Sequence, residues 1–304
     1  MSKRVTSNGV RLEDVVRSGL HHPESTIGVY APDSQSYEVF RELFEPILES
    51  FQAPLLSQYT DLACLNPMAV VSTRIRMARN LTGHVFTAAM SRSDRLSVEK
   101  KIAHACRCLA PDFQGTITQL QDIPAHRLAA MISKCQAFGP EDKYMVAAGI
   151  HADWPAGRSV FNAREKQLSV WINEEDHLRV ALVLPGACMS ACYQTLGLVM
   201  SHLSAHLDFC EDVQLGYLTS CPSNVGAGMR ASYRVDLGQD TSQELLLEQL
   251  ESAGIIQIRS IAGEHAVRTI GLVDISFHNR VGMSVTQMLR DMGSLLKADC
   301  PLAL

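Results

Sequence analysis

Gln167–Val180, QLSVWINEEDHLRV, begins as an alternating run and closes on Glu174, Glu175, Asp176, His177 and Arg179. Leu168, Val170 and Ile172 recur at the two-residue period of a β-strand, so three acids, an imidazole and a guanidinium are delivered together at the end of a half-buried strand. Two readings are open at this point: an exposed acidic turn after a buried strand, and a cluster that meets a ligand. The sequence on either side has to decide between them.

The chain has 304 residues, of which 46% are hydrophobic and 19% charged, long enough for one large core and a smaller second unit. A formal net charge of −5 argues against a nucleic-acid binder that depends on an excess of Lys and Arg, so any basic site is local. Nine cysteines without a framework spacing, and an N-terminus (MSKRVTSNG) without the apolar core of a signal peptide, lead to the expectation of reduced thiols in the cytoplasm. No apolar run approaches the roughly 18 residues that would suggest a membrane span.

Upstream, LEDVVRSGL and SYEVFRELFEPILESF have helical spacing, with Pro46 expected to interrupt the second. Between them HHPESTIGVYAPD is a loop whose Gly28 and Pro32 mark a turn. In AVVSTRIRMARNL, Arg74 and Arg76 flank Ile75, so on a strand both guanidinium groups leave by one face and call for an anion; a charge-protected edge strand is the other reading. Ser93–Leu109 and Ala125–Ala137 are expected to be helical, Trp154–Asn162 a turn, and Ala187–Leu207 a long helix. Met229–Leu237 alternates again and sets Arg230, Ser232 and Arg234 on one face. A helix over Gln243–Ala253, a strand over Ile255–Ile258, a loop carrying Glu264 and His265, the strand GLVDIS and a helix over Val285–Leu296 complete the reading.

Several familiar chemistries drop out. Gly226-Ala227-Gly228 with Ala231 imitates a dinucleotide fingerprint but runs into a strand where that motif needs a helix. There is no GxxxxGK[ST] phosphate loop and no GxSxG nucleophile elbow. His202 and His206 stand one helical turn apart without a glutamate base or third ligand nearby and read as surface histidines. Cys106 and Cys108 with His104, and Cys188 with Cys192, read as helical packing residues.

What remains is a set of single arginines among apolar residues: Arg74, Arg76, Arg179, Arg230 and Arg259. Such charges need partners, and a polyphosphate offers several in a form that guanidinium forks match bidentately. Glu175, Glu264 and the thiol of Cys221 stand beside them, and carboxylates oppose a polyanion unless they hold a cationic co-substrate. Phosphoryl transfer to a positively charged nitrogen satisfies both sets.

STRIRMARN, WPAGRSVFN, VWINEEDHLR, LGYLTSCPSNVGAGMRAS, the Arg259–His265 loop and VDIS occur in an order that resembles the phosphagen (ATP:guanidino) kinase family, its arginine kinase branch most closely. The resemblance implies an α+β fold, with a small helical N-terminal domain followed by a large antiparallel sheet flanked by helices. It implies a truncated N-terminal domain over residues 1–62 carrying the substrate-specificity loop, and a catalytic ATP-binding domain over residues 63–304. The implied reaction is reversible transfer of the γ-phosphoryl of ATP, brought with Mg2+ held by phosphates and water rather than by a protein metal site, to the guanidino nitrogen of a small substrate, L-arginine first. Carried over by motif, Ser72, Arg74, Arg76, Arg179, Arg230, Arg259 and Asp274 bind the nucleotide. Glu175 and Glu264 orient the guanidinium and take its proton, Cys221 sits against it and is expected to ionise readily, and Thr26, Ile27, Gly28 and Tyr30 meet the substrate's amino-acid end.

Departures from the family pattern carry expectations too. Asn162 and Arg234 stand where histidines are usual, Ser260-Ile261 replaces Gly-Thr, Ala227 replaces a threonine, VALVLPGA is more apolar than its counterpart, and the chain begins late and ends early. These imply altered nucleotide affinity and loop closure. Two alternatives follow: a kinase of protein arginine side chains, and a catalytically weak ATP-binding interaction protein.

Overall fold

The computed structural model describes residues 3–52, 65–134, 136–238, 240–260, 271–278 and 280–296. Its organising strand is β1, Val70–Arg79, whose alternation sends Ile75 and Met77 into the main core while Arg74 and Arg76 leave by the other face. Around it lie β2 (Gly115–Gln119), β3 (Ser159–Ala163), β4 (Gln167–Ile172), β5 (Leu178–Pro185), β8 (Met229–Asp236), β9 (Ile256–Ser260) and β10 (Leu272–Phe277). They form one eight-stranded sheet in the order β2-β3-β4-β5-β1-β8-β10-β9, and every adjacent pair is antiparallel. Two short strands, β6 (Glu211–Asp212) and β7 (Gly216–Tyr217), pair separately.

Helices cover the apolar face. α4 (Arg92–Arg107) starts with a reciprocal cap, in which the Asp94 N–H donates to Ser91 Oγ and the Ser91 N–H donates to Asp94 Oδ2. It packs on β3 through Val98, Ile102, Ala105 and Cys106. α7 (Met189–Ser204) lies across β1 and β5, burying Cys192, Leu196, Val199 and Leu203 at helical spacing. α9 (Val285–Ser294) packs on β8 and α7, and α8 (Thr241–Ser252) on β9. Two shorter helices, α5 (Ala125–Ser133) and α6 (Lys143–Ala148), lie between β2 and β3 in sequence. α6 is capped by Asp142, whose Oδ1 accepts from the N–H groups of Tyr144 and Met145.

The N-terminal part is helical, as expected: α1 (Leu12–His21), α2 (Ser36–Val39) and α3 (Arg41–Ser50) surround Val15, Val29, Tyr37, Phe40 and Phe44. Phe86, Leu218 and Val225 of the larger unit join the same cluster. Two further bonds tie the parts together: the Ala31 N–H donates to the Ser220 carbonyl at 2.7 Å, and the Tyr37 hydroxyl to the Thr219 carbonyl at 2.7 Å.

Three local expectations are corrected. The helical stretch after Ser36 runs through Pro46 and breaks instead at Phe40 (φ −111°, ψ 33°), whose side chain is fully buried; inside α3 Pro46 removes one backbone donor without ending the helix. Trp154–Asn162 is a turn only in its first half, since Ser159–Asn162 belongs to β3. β2 and α6 carried no recognised periodicity because both are short and partly exposed. Among the described residues no helix is long and apolar enough to cross a membrane.

The loop holding Thr26–Tyr30 is seated by glycines: the Gly19 N–H donates to the Gly28 carbonyl at 2.8 Å, and Gly28 has φ +70°. A Cβ on Gly19 would come within 2.7 Å of that carbonyl oxygen, and both partners are backbone. Gly19→Ala is therefore expected to destabilise the protein by about 1–3 kcal/mol, read as a lower midpoint in urea unfolding.

Candidate active site

The sheet's register assembles the site. In the β1–β8 pairing Ser72 faces Arg234, Arg74 faces Ser232 and Arg76 faces Arg230; directly opposed residues share a face. Pairing of Ala78 with Arg179 brings the β5 arginine to that face, and Asp274 on β10 sits between Arg234 on β8 and Arg259 on β9. The pleat alone thus places all five predicted arginines, with Ser72 and Asp274, on the side of the sheet away from α4 and α7.

Two adjoining pockets open there, sharing Arg74 and Asp274. One, of about 720 Å3, is lined by Ser72, Arg74, Asn162, Arg234 and Asp274. The other, of about 610 Å3, is lined by Arg74, Arg76, Arg179, Arg230 and Arg259 together with Glu175 and Cys221. Burial, and then the guanidinium groups of Arg74, Arg230, Arg179 and Arg259, hold the pKa of Arg76 well below the usual arginine range. Like charges directly opposed on a sheet destabilise it, so this face is complementary to a multiply charged anion. Asn162 and Arg234, the departures from the histidine pattern, both line the first pocket, and Arg234 Nε contacts Asp274 Oδ1 at 3.3 Å.

The acids sit on the turn between β4 and β5. Arg179 bridges two of them, Nη1 to Glu174 Oε1 at 2.8 Å and Nη2 to Glu175 Oε2 at 3.1 Å. Burial opposes the charge on Arg179, but Glu174, Glu175 and Asp176 outweigh it and raise its pKa. Asn224 Nδ2 donates to the same Glu175 oxygen at 3.2 Å. Burial raises the Glu175 pKa well above the ordinary carboxylate range; Arg179 works against that shift, while Glu174, Asp176 and Asp142 add to it.

Asp176 and His177 turn the other way, which separates the opening cluster into two functions. Asp176 Oδ1 accepts from Asn80 Nδ2 at 2.7 Å and from the Ser220 N–H at 2.6 Å. His177 Nδ1 accepts from the Leu81 N–H at 2.9 Å, so the proton is on Nε2, which donates to the Val85 carbonyl at 2.9 Å. Burial holds the His177 pKa down to about 3, so the ring is neutral. These two residues pin the turn to neighbouring loops, and Glu174 and Glu175 are left to face the cleft.

Cys221 lines the cleft next to Tyr30. The expectation of a readily ionised thiol is corrected: burial, and then Glu175, push its pKa up, and Sγ lies 3.1 Å from Ser223 Oγ. Thr26, Ile27 and Tyr30 line the cleft, whereas Gly28 packs on Gly19 behind it. Glu264 and His265 lie outside the described residues. The sequence reading did not single out Glu174 as an Arg179 partner, nor Asp142, Asn224, His278 and Arg280, all of which line the cleft. Arg280 Nη2 contacts Asn224 Oδ1 at 3.4 Å, extending the polar chain that begins at Glu175. Their signal was weak because each stands alone in a turn or a cap.

A model of the ATP:guanido phosphotransferase C-terminal catalytic domain matches residues 97–298, and one of the family's N-terminal domain matches residues 1–49. The arginine kinase of Limulus polyphemus is 30% identical over 306 residues, covering 96% of this chain and 85% of its own length. That of Anthopleura japonica is 33% identical over 313 residues, but this chain spans only 44% of it. Among solved structures, a lombricine kinase superposes with a TM-score of 0.83 at 28% identity, covering 96% of this chain and 85% of that one. The duplicated taurocyamine kinase of Schistosoma mansoni superposes with a TM-score of 0.82 at 30% identity, covering 96% of this chain and 43% of that one.

The opposed arginines make a testable demand on stability. Arg76→Met is expected to stabilise the ligand-free protein by about 1 kcal/mol at low ionic strength, a gain that shrinks as salt is added, and to abolish triphosphate binding. Urea unfolding with and without inorganic triphosphate measures both effects.

Proposed function

We propose, from the premise that the chain belongs to the ATP:guanido phosphotransferase family, that it transfers the γ-phosphoryl group of ATP reversibly to a guanidino nitrogen of free L-arginine. The observation that carries this reading is the single cleft in which Arg74, Arg76, Arg179, Arg230 and Arg259 meet Glu175. A triphosphate satisfies the guanidinium groups, and a guanidinium satisfies the carboxylate.

The chemistry follows from that opposition. Arg74, Arg76, Arg230 and Arg259 hold the phosphate chain and spread the charge that builds on the transferring group and on the leaving ADP. Glu175 orients the acceptor, and a second carboxylate, Glu264, is assigned the same task by family resemblance. As the N–P bond forms and the β,γ-bridging P–O bond breaks, the guanidinium proton passes to Glu175. Arg179 shuttles between partners, leaving Glu174 and Glu175 for phosphate once a cationic substrate neutralises the acids. Mg2+, when bound, neutralises charge on the β- and γ-phosphates. Among the described residues two carboxylates, Asp274 and Glu165, share a pocket with Ser72 and Arg74, and Asp274 already contacts Arg234, so the site suits an ion carried in by phosphates and water.

Asp142 supports arginine within the guanidino class. It lines the cleft with Thr26 and Ile27, and its charge reaches both Glu175 and Tyr30, raising their pKa values. A carboxylate there attracts the α-ammonium of arginine, a group that taurocyamine lacks.

A coupled assay with MgATP is expected to show turnover of free L-arginine, and turnover confined to protein arginines or to no guanidine at all would refute the reading. Glu175→Gln should lose at least about 100-fold in kcat with nucleotide affinity kept. Because catalysis needs the carboxylate and its pKa is raised, the acidic limb of kcat/KM against pH is expected far above the usual range near 4.5, and Gln at 175 removes that limb. Asp142→Asn retains the helix cap but not the charge, so KM for arginine should rise about tenfold, equivalent to roughly 1.4 kcal/mol, with little change in kcat, while discrimination against taurocyamine narrows.

A further inference from the structure

On the helical side of the sheet, His104, Cys108 and His206 converge although they come from two elements about a hundred residues apart in the chain. Cys108 ends α4, His104 lies one turn earlier on the same helix, and His206 follows the C-terminus of α7. Their ligand atoms all lie within 4.8 Å of one another, with Cys108 Sγ 3.8 Å from His104 Nε2. The two imidazole rings meet edge to face with centroids 5.9 Å apart. A tetrahedral zinc site with Zn–N near 2.0–2.1 Å and Zn–S near 2.3 Å sets N and S about 3.6 Å apart, so small rotamer changes close the site.

All three side chains are exposed, so burial does not explain their meeting. This corrects the reading of His104 and Cys108 as packing residues; in that segment the packing thiol is Cys106, which is fully buried. The scaffold beneath is rigid, because Ile102 and Cys106 anchor α4, and Leu196, Val199 and Leu203 anchor α7, in one core. Among the described residues the three side chains make no hydrogen bond or ion pair other than the His104–Cys108 contact.

We propose that His104, Cys108 and His206 form a binding site for a divalent transition ion of the zinc class, remote from the cleft, with a fourth position open to water. Two imidazoles and one thiolate are the donor set such an ion selects over magnesium or calcium. Coordination releases the Cys108 thiol proton to solvent and ties the end of α4 to the end of α7, stabilising the folded chain.

Co2+ added to the full chain is the optical probe. A thiolate-to-cobalt charge-transfer band and tetrahedral visible bands are expected to saturate at one equivalent and to be displaced by Zn2+. Zn2+ at a hundredfold excess over its Kd should raise Tm by about 5 °C. Cys108→Ser should lose the charge-transfer band, and both it and His206→Ala should weaken binding by more than the roughly 10–100-fold that loss of an outer hydrogen-bonding partner costs. Cys221→Ser, which removes the cleft thiol, should keep the bands and the Tm shift. Absence of the charge-transfer band in the unmodified chain, or its persistence in Cys108→Ser, overturns the proposal. So does a Zn2+-induced Tm shift that survives in both Cys108→Ser and His206→Ala.

Discussion

Arg76 on β1 stands directly across from Arg230 on β8, and this forced approach of like charges shapes the rest of the molecule. Strands elsewhere avoid such a pair, since opposed guanidinium groups cost stability that hydrophobic burial must offset. Here the offset comes from the other face of the same strands. Ile75, Met77, Ala231, Tyr233 and Val235 pack into one core with α7 and α9, so the register cannot slip without exposing that core. The sheet is held in place from behind while its arginines crowd together in front.

The acids opposite are positioned by a different device. The turn after β4 follows Asn173 in a left-handed conformation (φ 56°), and Asn173 Nδ2 donates to the carbonyls of Arg95 and Gly157. With Asp176 and His177 also bonded inward, the turn keeps only Glu174 and Glu175 for the cleft. Buried arginines elsewhere act in the same structural way. Arg158 donates to the carbonyls of Ile150, Ala152 and Ala156, while Arg79 donates to those of Ala78 and Ala227 and stacks 3.5 Å from the Tyr217 ring. Burial of an arginine is therefore not itself a sign of function; what distinguishes the cleft is that Arg74, Arg76, Arg179, Arg230 and Arg259 line one pocket, with Arg76 under the influence of the other four.

Much of this was legible in the chain alone. Period-two alternation in residues 70–79, 167–172 and 229–236 identified strands and the shared faces on which Arg74 and Arg76, and Arg230 and Arg234, leave, because pleating makes side-chain direction a local property, whereas the strand over Leu178–Pro185 that carries Arg179 was read only as an apolar segment. The ordered motifs identified the family, and the family models and relatives agree. The split of NEEDHLR into outward acids and inward Asp176 and His177 was not legible, because it depends on Asn80, Leu81, Val85 and Ser220, which are distant in sequence. Nor was the state of Cys221: nearby arginines in the sequence suggested an easily ionised thiol, whereas burial beside Glu175 keeps it protonated. The His104–Cys108–His206 cluster escaped for the same reason, since only helix packing brings the third ligand to the other two.

By itself, then, the order of residues determined which side chains leave each strand together and what class of chemistry they suit, since both depend on local geometry and residue type. Only the tertiary structure decided which of those groups face one another across the cleft, which are turned inward as ties, and which carry a shifted pKa. Those are properties of burial and of charges brought close from remote parts of the chain, and both arise only when the sheet pairs and the helices close over it.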